Sequence, residues 1–150
     1  MRGGTEMVEM TKEERNKALM EEVIRYCVLR DMFDTINFYT NGHKYSSDPH
    51  PGSVKITIPI PEEELCRTGL DEMCDAPREA TYYDCGEYNV CEYLEYCDPE
   101  TVTMTFEGNF HSAYNGYFGN YRTEEAIVDI ADKYGLYPEK GYSWSVAFVK

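Results

Sequence analysis

The dipeptide Asn41-Gly42 does most to limit the folds open to this chain. It stands between "FDTINFYT" and "HKYSS", two short segments rich in aromatic and β-branched residues. Asparagine and glycine tolerate the two successive positive φ angles of a type I′ turn, whose twist matches that of the flanking strands. A two-residue connection commits those strands to antiparallel pairing.

Other segments extend the sheet. "SVKITIPI" alternates and places Val54, Ile56, Ile58 and Ile60 on one face. Pro59 and Pro61 place its far end at a sheet edge or take it out of the sheet. "TVTMTFEG" alternates too, and "YSWSVAFV" closes the chain as a strand. Asn115-Gly116 lies inside "NFHSAYNGYFGNYR", between aromatic flanks, so a second hairpin is expected there.

Two segments carry helical spacing. Thr11 and Glu14 form a capping box ahead of a helix over about 12–31, with Ala18, Leu19, Val23, Cys27 and Val28 facing inward. Glu21 and Arg25 are spaced for an ion pair on its surface. Thr123 reads as the N-cap of a second helix that buries Ala126, Ile127, Ile130, Ala131 and Tyr134 and ends at Gly135. "PEEELCRTGLDEMCD" reads as a short helix; "YNVCEYLEYC" fits a helix, with Val90, Leu94 and Cys97 on one face and Asn89 and Glu92 as its capping box, or a strand on its tyrosine content, and strand is the preferred reading. The expected class is α+β: a mostly antiparallel sheet of about five to six strands with two main helices packed on one face. Residues 1–10 read as a flexible tail, and 11–150 as a single domain in which 62–100 is an insert.

The acidic residues are unevenly placed. Twenty-eight acids face fourteen bases, for a net charge of −14. Thirteen acids and two bases fall within 61–100, so this stretch holds −11 of the total. The fourteen tyrosines argue against disorder at this charge. The sign excludes direct grip on a phosphate backbone and attraction to an anionic membrane. The opening "MRGGTEMVEMTKEERNK" has no apolar signal core, and no apolar run reaches spanning length, so the cytoplasm of a host cell is the expected location. Its six cysteines are then expected to be reduced thiols.

Metal, disulfide and catalytic readings are weak. Cys74, Cys85, Cys91 and Cys97 are separated by ten, five and five residues, without the short knuckle that preorganises a zinc tetrahedron. The even cysteine count permits bridges, but a domain of this length does not need staples. His43, His50 and His111 have no motif partner, and no phosphate-binding or dinucleotide fingerprint occurs. No metal, no cofactor and no enzymatic activity are expected.

Carboxylates interleaved with tyrosines remain. A solvated acidic face is the plain reading, yet charge serving solubility alone need not be concentrated. Tyrosine buries area while keeping a polar tip, and carboxylates on a firm scaffold accept bidentate arginine contacts in place of phosphates. The expected partner surface is therefore Glu62, Glu63, Glu64, Asp71, Glu72, Asp84, Glu87, Tyr88, Glu92, Tyr93, Glu95, Tyr96, Asp98 and Glu100. It would meet a basic protein, most readily the nucleic-acid cleft of a nuclease or similar effector. Small acidic inhibitors of phages and mobile elements, including anti-CRISPR and anti-restriction proteins, share this composition. The analogy is one of composition alone, and no family motif accompanies it. The competing site is a nucleotide-binding aromatic hairpin over 109–122, with Phe110, His111, Tyr114, Tyr117 and Tyr121 to stack and Arg122 to meet a phosphate.

Overall fold

The first helix, α1 (Lys12–Leu29), opens with both halves of its capping box in place. The Thr11 hydroxyl accepts from the Glu14 amide, and the Glu14 carboxylate accepts from the Thr11 amide. The structure is a computed structural model that describes residues 10–68 and 77–150. Residues 1–9 of the expected tail, with Asp71, Glu72 and Cys74, lie outside the described residues. Leu19, Val23 and Cys27 are buried on α1 as their spacing requires, joined by Met20 and Ile24. The expected Glu21–Arg25 pair does not form. Each side chain has a partner across the fold: Glu21 accepts from the Tyr82 hydroxyl, and Arg25 donates to Glu64.

Strands β1 (Ile36–Thr40) and β2 (His43–Ser46) pair around Asn41 and Gly42, whose φ angles are 54° and 76°. The proline-bearing β3 (Val54–Pro59) is an edge strand, as predicted. After the short α2 (Glu62–Thr68), β4 (Glu79–Glu87) runs between β3 and β2. The segment 62–100, expected as an insert, thus supplies a strand to the sheet. Its "ATYYDC" core has strand-forming residues, and Ala80 and Tyr82 alternate into the core despite the acids around them. The expected strand at "YNVCEYLEYC" is instead a single 3₁₀ turn, Val90–Glu92, capped by the Asn89 side chain on the Cys91 amide.

Strand β5 (Val102–Phe106) leads into α3 (Gly108–Tyr114), where a hairpin was expected. A type I′ turn needs positive φ at both central residues. Asn115 sits at −92° and only Gly116, at 79°, is positive, which suits a helix C-terminus. Helix is favoured because Phe110 and Tyr114, one turn apart, both lie against Phe106 at centroid distances of 4.8 and 5.6 Å. Next, α4 (Arg122–Lys133) begins one residue before the expected cap. Tyr121 holds the cap position without a side-chain bond, and Thr123 is buried in the first turn. Gly135, at φ 74°, ends the helix as predicted. The chain closes with the hairpin β6 (Tyr137–Lys140) and β7 (Ser145–Val149).

The class is α+β, with seven strands and four helices among the described residues, slightly more strands than expected. Strand order is β3-β4-β2-β1-β5-β7-β6, and every neighbouring pair is antiparallel. Register and alternation give the sheet two unlike faces. Phe38, Tyr82, Met104, Phe106 and Phe148 point toward the helices and share one core. Asn37, Tyr39, Thr103, Thr105, Ser145 and Ala147 point the other way. No helix among the described residues is long and apolar enough to cross a membrane.

Candidate interaction site on the open face of the sheet

Three residues on the helix-free face are sealed from solvent: Thr103, Ser145 and Ala147 are at most 5% exposed. The cover is the acidic, tyrosine-rich segment 88–100, which crosses β5, β7 and β6 as a strap. A disulfide between Cys91 and Cys97 closes it, with Cα atoms 5.9 Å apart. This corrects the expectation of reduced thiols throughout. Cys27 and Cys85 are free, Cys27 being buried under α1 and Cys85 half-buried on the open face. The 3₁₀ turn, extended by the bond from the Leu94 amide to the Val90 carbonyl, folds the strap back on itself and brings two cysteines six positions apart into bonding range.

Several contacts fix the strap to the sheet. The Asp98 amide donates to the Thr103 hydroxyl at 3.2 Å, and the Tyr142 hydroxyl donates to Glu95 at 3.2 Å. Tyr96 packs edge-on against Tyr142 and crosses so close to Gly141 that a Cβ there would stand 2.7 Å from its Cβ. That atom cannot swing aside as a ring tip does. Gly141→Ala is therefore expected to lift the strap from the β6–β7 hairpin while the helix-side core stays intact. Faster hydrogen exchange at the Asp98 and Leu94 amides, with unchanged exchange at Met104, is the expected readout; unchanged strap amides would refute the close crossing.

Beside the strap lies a groove of about 290 Å³. It is lined by Tyr88, Tyr93 and Leu94 from the strap, by Trp144 and Glu107, and by the cross-strand partners Asn37 and Thr105 of the sheet. Tyr88 is sandwiched, 5.1 Å from Tyr39 and 4.8 Å from Tyr93, the latter nearly parallel at 23°. Trp144 stacks on Tyr142 at 4.8 Å and 8°. Lys44 places its Nζ 5.6 Å from the Tyr88 ring centre. Burial, followed by the neighbouring Tyr39 and Tyr93, pushes the Tyr88 hydroxyl up to about 12, and burial also raises Tyr39. These phenols stay neutral across the physiological range, so Glu107 is the anion among the groove's lining residues.

The predicted partner residues do not share one surface. Glu64 is held by Arg25 at 2.9 Å in a largely buried pair between α2 and α1. Glu62 and Glu63 are exposed on α2, on the helix side of the sheet. Glu100 pairs with Lys12, and Asp98 caps the Glu100 amide. Asp84 pairs with His43. On the strap, Glu92, Tyr93, Glu95 and Tyr96 are exposed, with Glu87 exposed at the end of β4 and Tyr88 half-buried in its stack. In the competing set, Phe110 and Tyr114 are core residues at 0% and 2% exposure and cannot stack on a ligand. His111 is half-buried, 3.4 Å from the Ser143 hydroxyl and edge-on to Tyr117. Tyr117, Tyr121 and Arg122 are exposed beyond it.

Tyr39, Trp144 and Glu107 escaped the sequence reading. Tyr39 and Trp144 sit in recognisable strand segments, and what brings them to the strap is the β1–β5–β7 register, which pattern alone does not supply.

His43 and Asp84 form the other notable pair. The His43 Nδ1 lies 2.9 Å from Asp84 Oδ1, which also accepts from the Gly86 amide at 2.9 Å. A β-bulge between His43 and Tyr45 sets this geometry. Such a pair orients an imidazole, but no hydroxyl or thiol nucleophile completes it in the hydrogen bonds of the described residues. Burial opposes the Asp84 carboxylate, yet the bonds from His43 and Gly86 outweigh it and hold its pKa below the usual range. A depressed folded-state pKa contributes stability above the unfolded value, and that stability is lost as pH falls through the folded one. Between about pH 5 and pH 2, Asp84→Asn is expected to flatten the fall in stability measured by urea unfolding. An equally steep fall in the variant would remove Asp84 from the acid response.

No group of three or more His, Cys, Asp or Glu among the described residues is arranged to hold a metal ion. Comparison with protein-family models, with curated proteins and with solved structures finds no match to this chain.

Proposed function

We propose that this chain is a non-enzymatic interaction protein whose partner is a basic protein surface, with the nucleic-acid cleft of a nuclease or related effector the best chemical fit. One observation carries the proposal. The disulfide-closed strap holds Glu92, Tyr93, Glu95 and Tyr96 in the open, next to an aromatic groove whose own charged residue is Glu107. Net charge of −14 supplies long-range attraction to such a partner. The firm strap limits the conformational entropy lost on docking. An inhibitor of the anti-CRISPR or anti-restriction kind is the biological role this chemistry suits best.

The interacting set is narrower than composition implied. It comprises Glu87, Glu92, Tyr93, Glu95 and Tyr96 with the groove, and leaves out the paired Glu64, Asp84 and Glu100. A role in a host cytoplasm requires the strap to hold without its bridge, because cytosolic thiols are kept reduced. Outside the cytosol the bridge persists.

Capture from lysate at low and high salt, with and without reductant, tests the proposal. Charge reversal at Glu92 and Glu95 to Lys is expected to weaken capture of a basic, salt-eluted protein by tenfold or more. It should shift thermal unfolding only slightly, since both side chains are exposed and the one bond removed is that from the Tyr142 hydroxyl to Glu95. Capture that survives the double reversal would remove the strap from the interface.

A further inference from the structure

We infer that the groove between Trp144 and the Tyr88–Tyr93 stack is a receptor for one arginine side chain of a basic partner, an assignment that rests on the function proposed above.

The walls suit a flat cation. The Trp144–Tyr142 and Tyr88–Tyr93 pairs are both near-parallel stacks, at 8° and 23°, and Trp144 and Tyr93 flank the same space. Aromatic faces carry negative potential, and guanidinium planes stack on them. The cluster already attracts a cation, because Lys44 reaches over the Tyr88 ring from the neighbouring strand. Asn37 and Thr105, cross-strand partners in the lining, offer oxygens to a multi-donor ligand. Glu107 supplies the counter-charge in the groove's lining. An ammonium lacks the plane that stacks on such rings, so arginine is preferred over lysine.

The same features oppose the nearest alternative. A nucleobase would stack equally well, but its phosphate would meet Glu107, the charged residue of the groove's lining, on a protein of net charge −14. Lys44, the cation beside the groove, is already engaged over the Tyr88 ring. A neutral planar ligand would gain nothing from Glu107.

Trp144 is the sole tryptophan of the chain, so its fluorescence reports this groove alone. The full-length protein is titrated with acetyl-tetraarginine amide, the tetralysine and tetracitrulline equivalents, and adenosine monophosphate. A saturable Trp144 change with the arginine peptide is expected, at least tenfold weaker with lysine and absent with citrulline and the nucleotide. Tyr93→Ala and Glu107→Gln should each weaken it severalfold or more, while the exposed Tyr117→Ala, outside the groove, leaves it unchanged. Should Tyr93→Ala fold poorly, Glu107→Gln carries the comparison by itself. Equal responses to citrulline and arginine, or a response to the nucleotide, would overturn the assignment. Partner capture that remains salt-sensitive and strap-dependent while Trp144 is silent would reject the groove and keep the proposed function. Loss of both would reject both.

Discussion

Phe38→Ala is expected to lower the free energy of unfolding by about 3–5 kcal/mol, the range for truncating a fully buried phenylalanine. Phe38 is 0% exposed and sits in β1, fourth of the seven strands. Its cross-strand neighbours are Tyr45 on β2 and Met104 on β5, so its ring joins the half of the sheet leading to β3 with the half leading to β6. The helix layer covers that face, and the core cluster runs without a break from Leu19 and Val23 on α1 to Ile127 and Ile130 on α4. A cavity here touches both halves. Against a typical total of about 5–15 kcal/mol, the loss is a large share of the stability. Urea unfolding should show one transition with an earlier midpoint and an unchanged slope. Two separated transitions would mean that the sheet is two units meeting at β1.

The elements that could be read in advance are those whose signals are local. The α1 capping box, the Asn41-Gly42 turn and the Gly135 stop each depend on a few adjacent residues, and each stands where expected. The misreadings share a different cause. Strand β4 is dense in acids, and its assignment depends on Ala80 and Tyr82 finding a core that lies elsewhere in the chain. Asn115-Gly116 satisfies a hairpin turn and a helix end alike until Phe106 is seen to gather Phe110 and Tyr114 on one side. In the site, composition located the strap but not its attachment. Which acids stay free depends on partners far away in sequence: Arg25 for Glu64, Lys12 for Glu100, His43 for Asp84. The groove is further from view still, since its two walls come from residues about fifty positions apart.

Replacing Cys91 and Cys97 together by Ser is expected to cost about 2 kcal/mol of global stability, the loop-closure value for a ring this short. The larger effect falls on binding. Without the bridge, the strap still has the Asp98–Thr103 bond, the Tyr96–Gly141 crossing and the Tyr142–Glu95 contact, so the sheet below remains covered most of the time. Tyr93, however, lies between the two cysteines, and its stack on Tyr88 is one wall of the groove. Freeing the ring lets Tyr93 leave that stack, and ordering it again must then be met from binding energy. The double variant is therefore expected to bind tetraarginine at least tenfold more weakly, and reductant should do the same to the native protein. Hydrogen exchange separates the two effects. The Leu94 amide, which lies in the ring and bonds the Val90 carbonyl just ahead of it, should exchange much faster, whereas Met104 in the central sheet should change only by the global loss. If Leu94 and Met104 accelerate equally and peptide affinity is unchanged, the bridge stabilises the fold as a whole and has no part in shaping the groove.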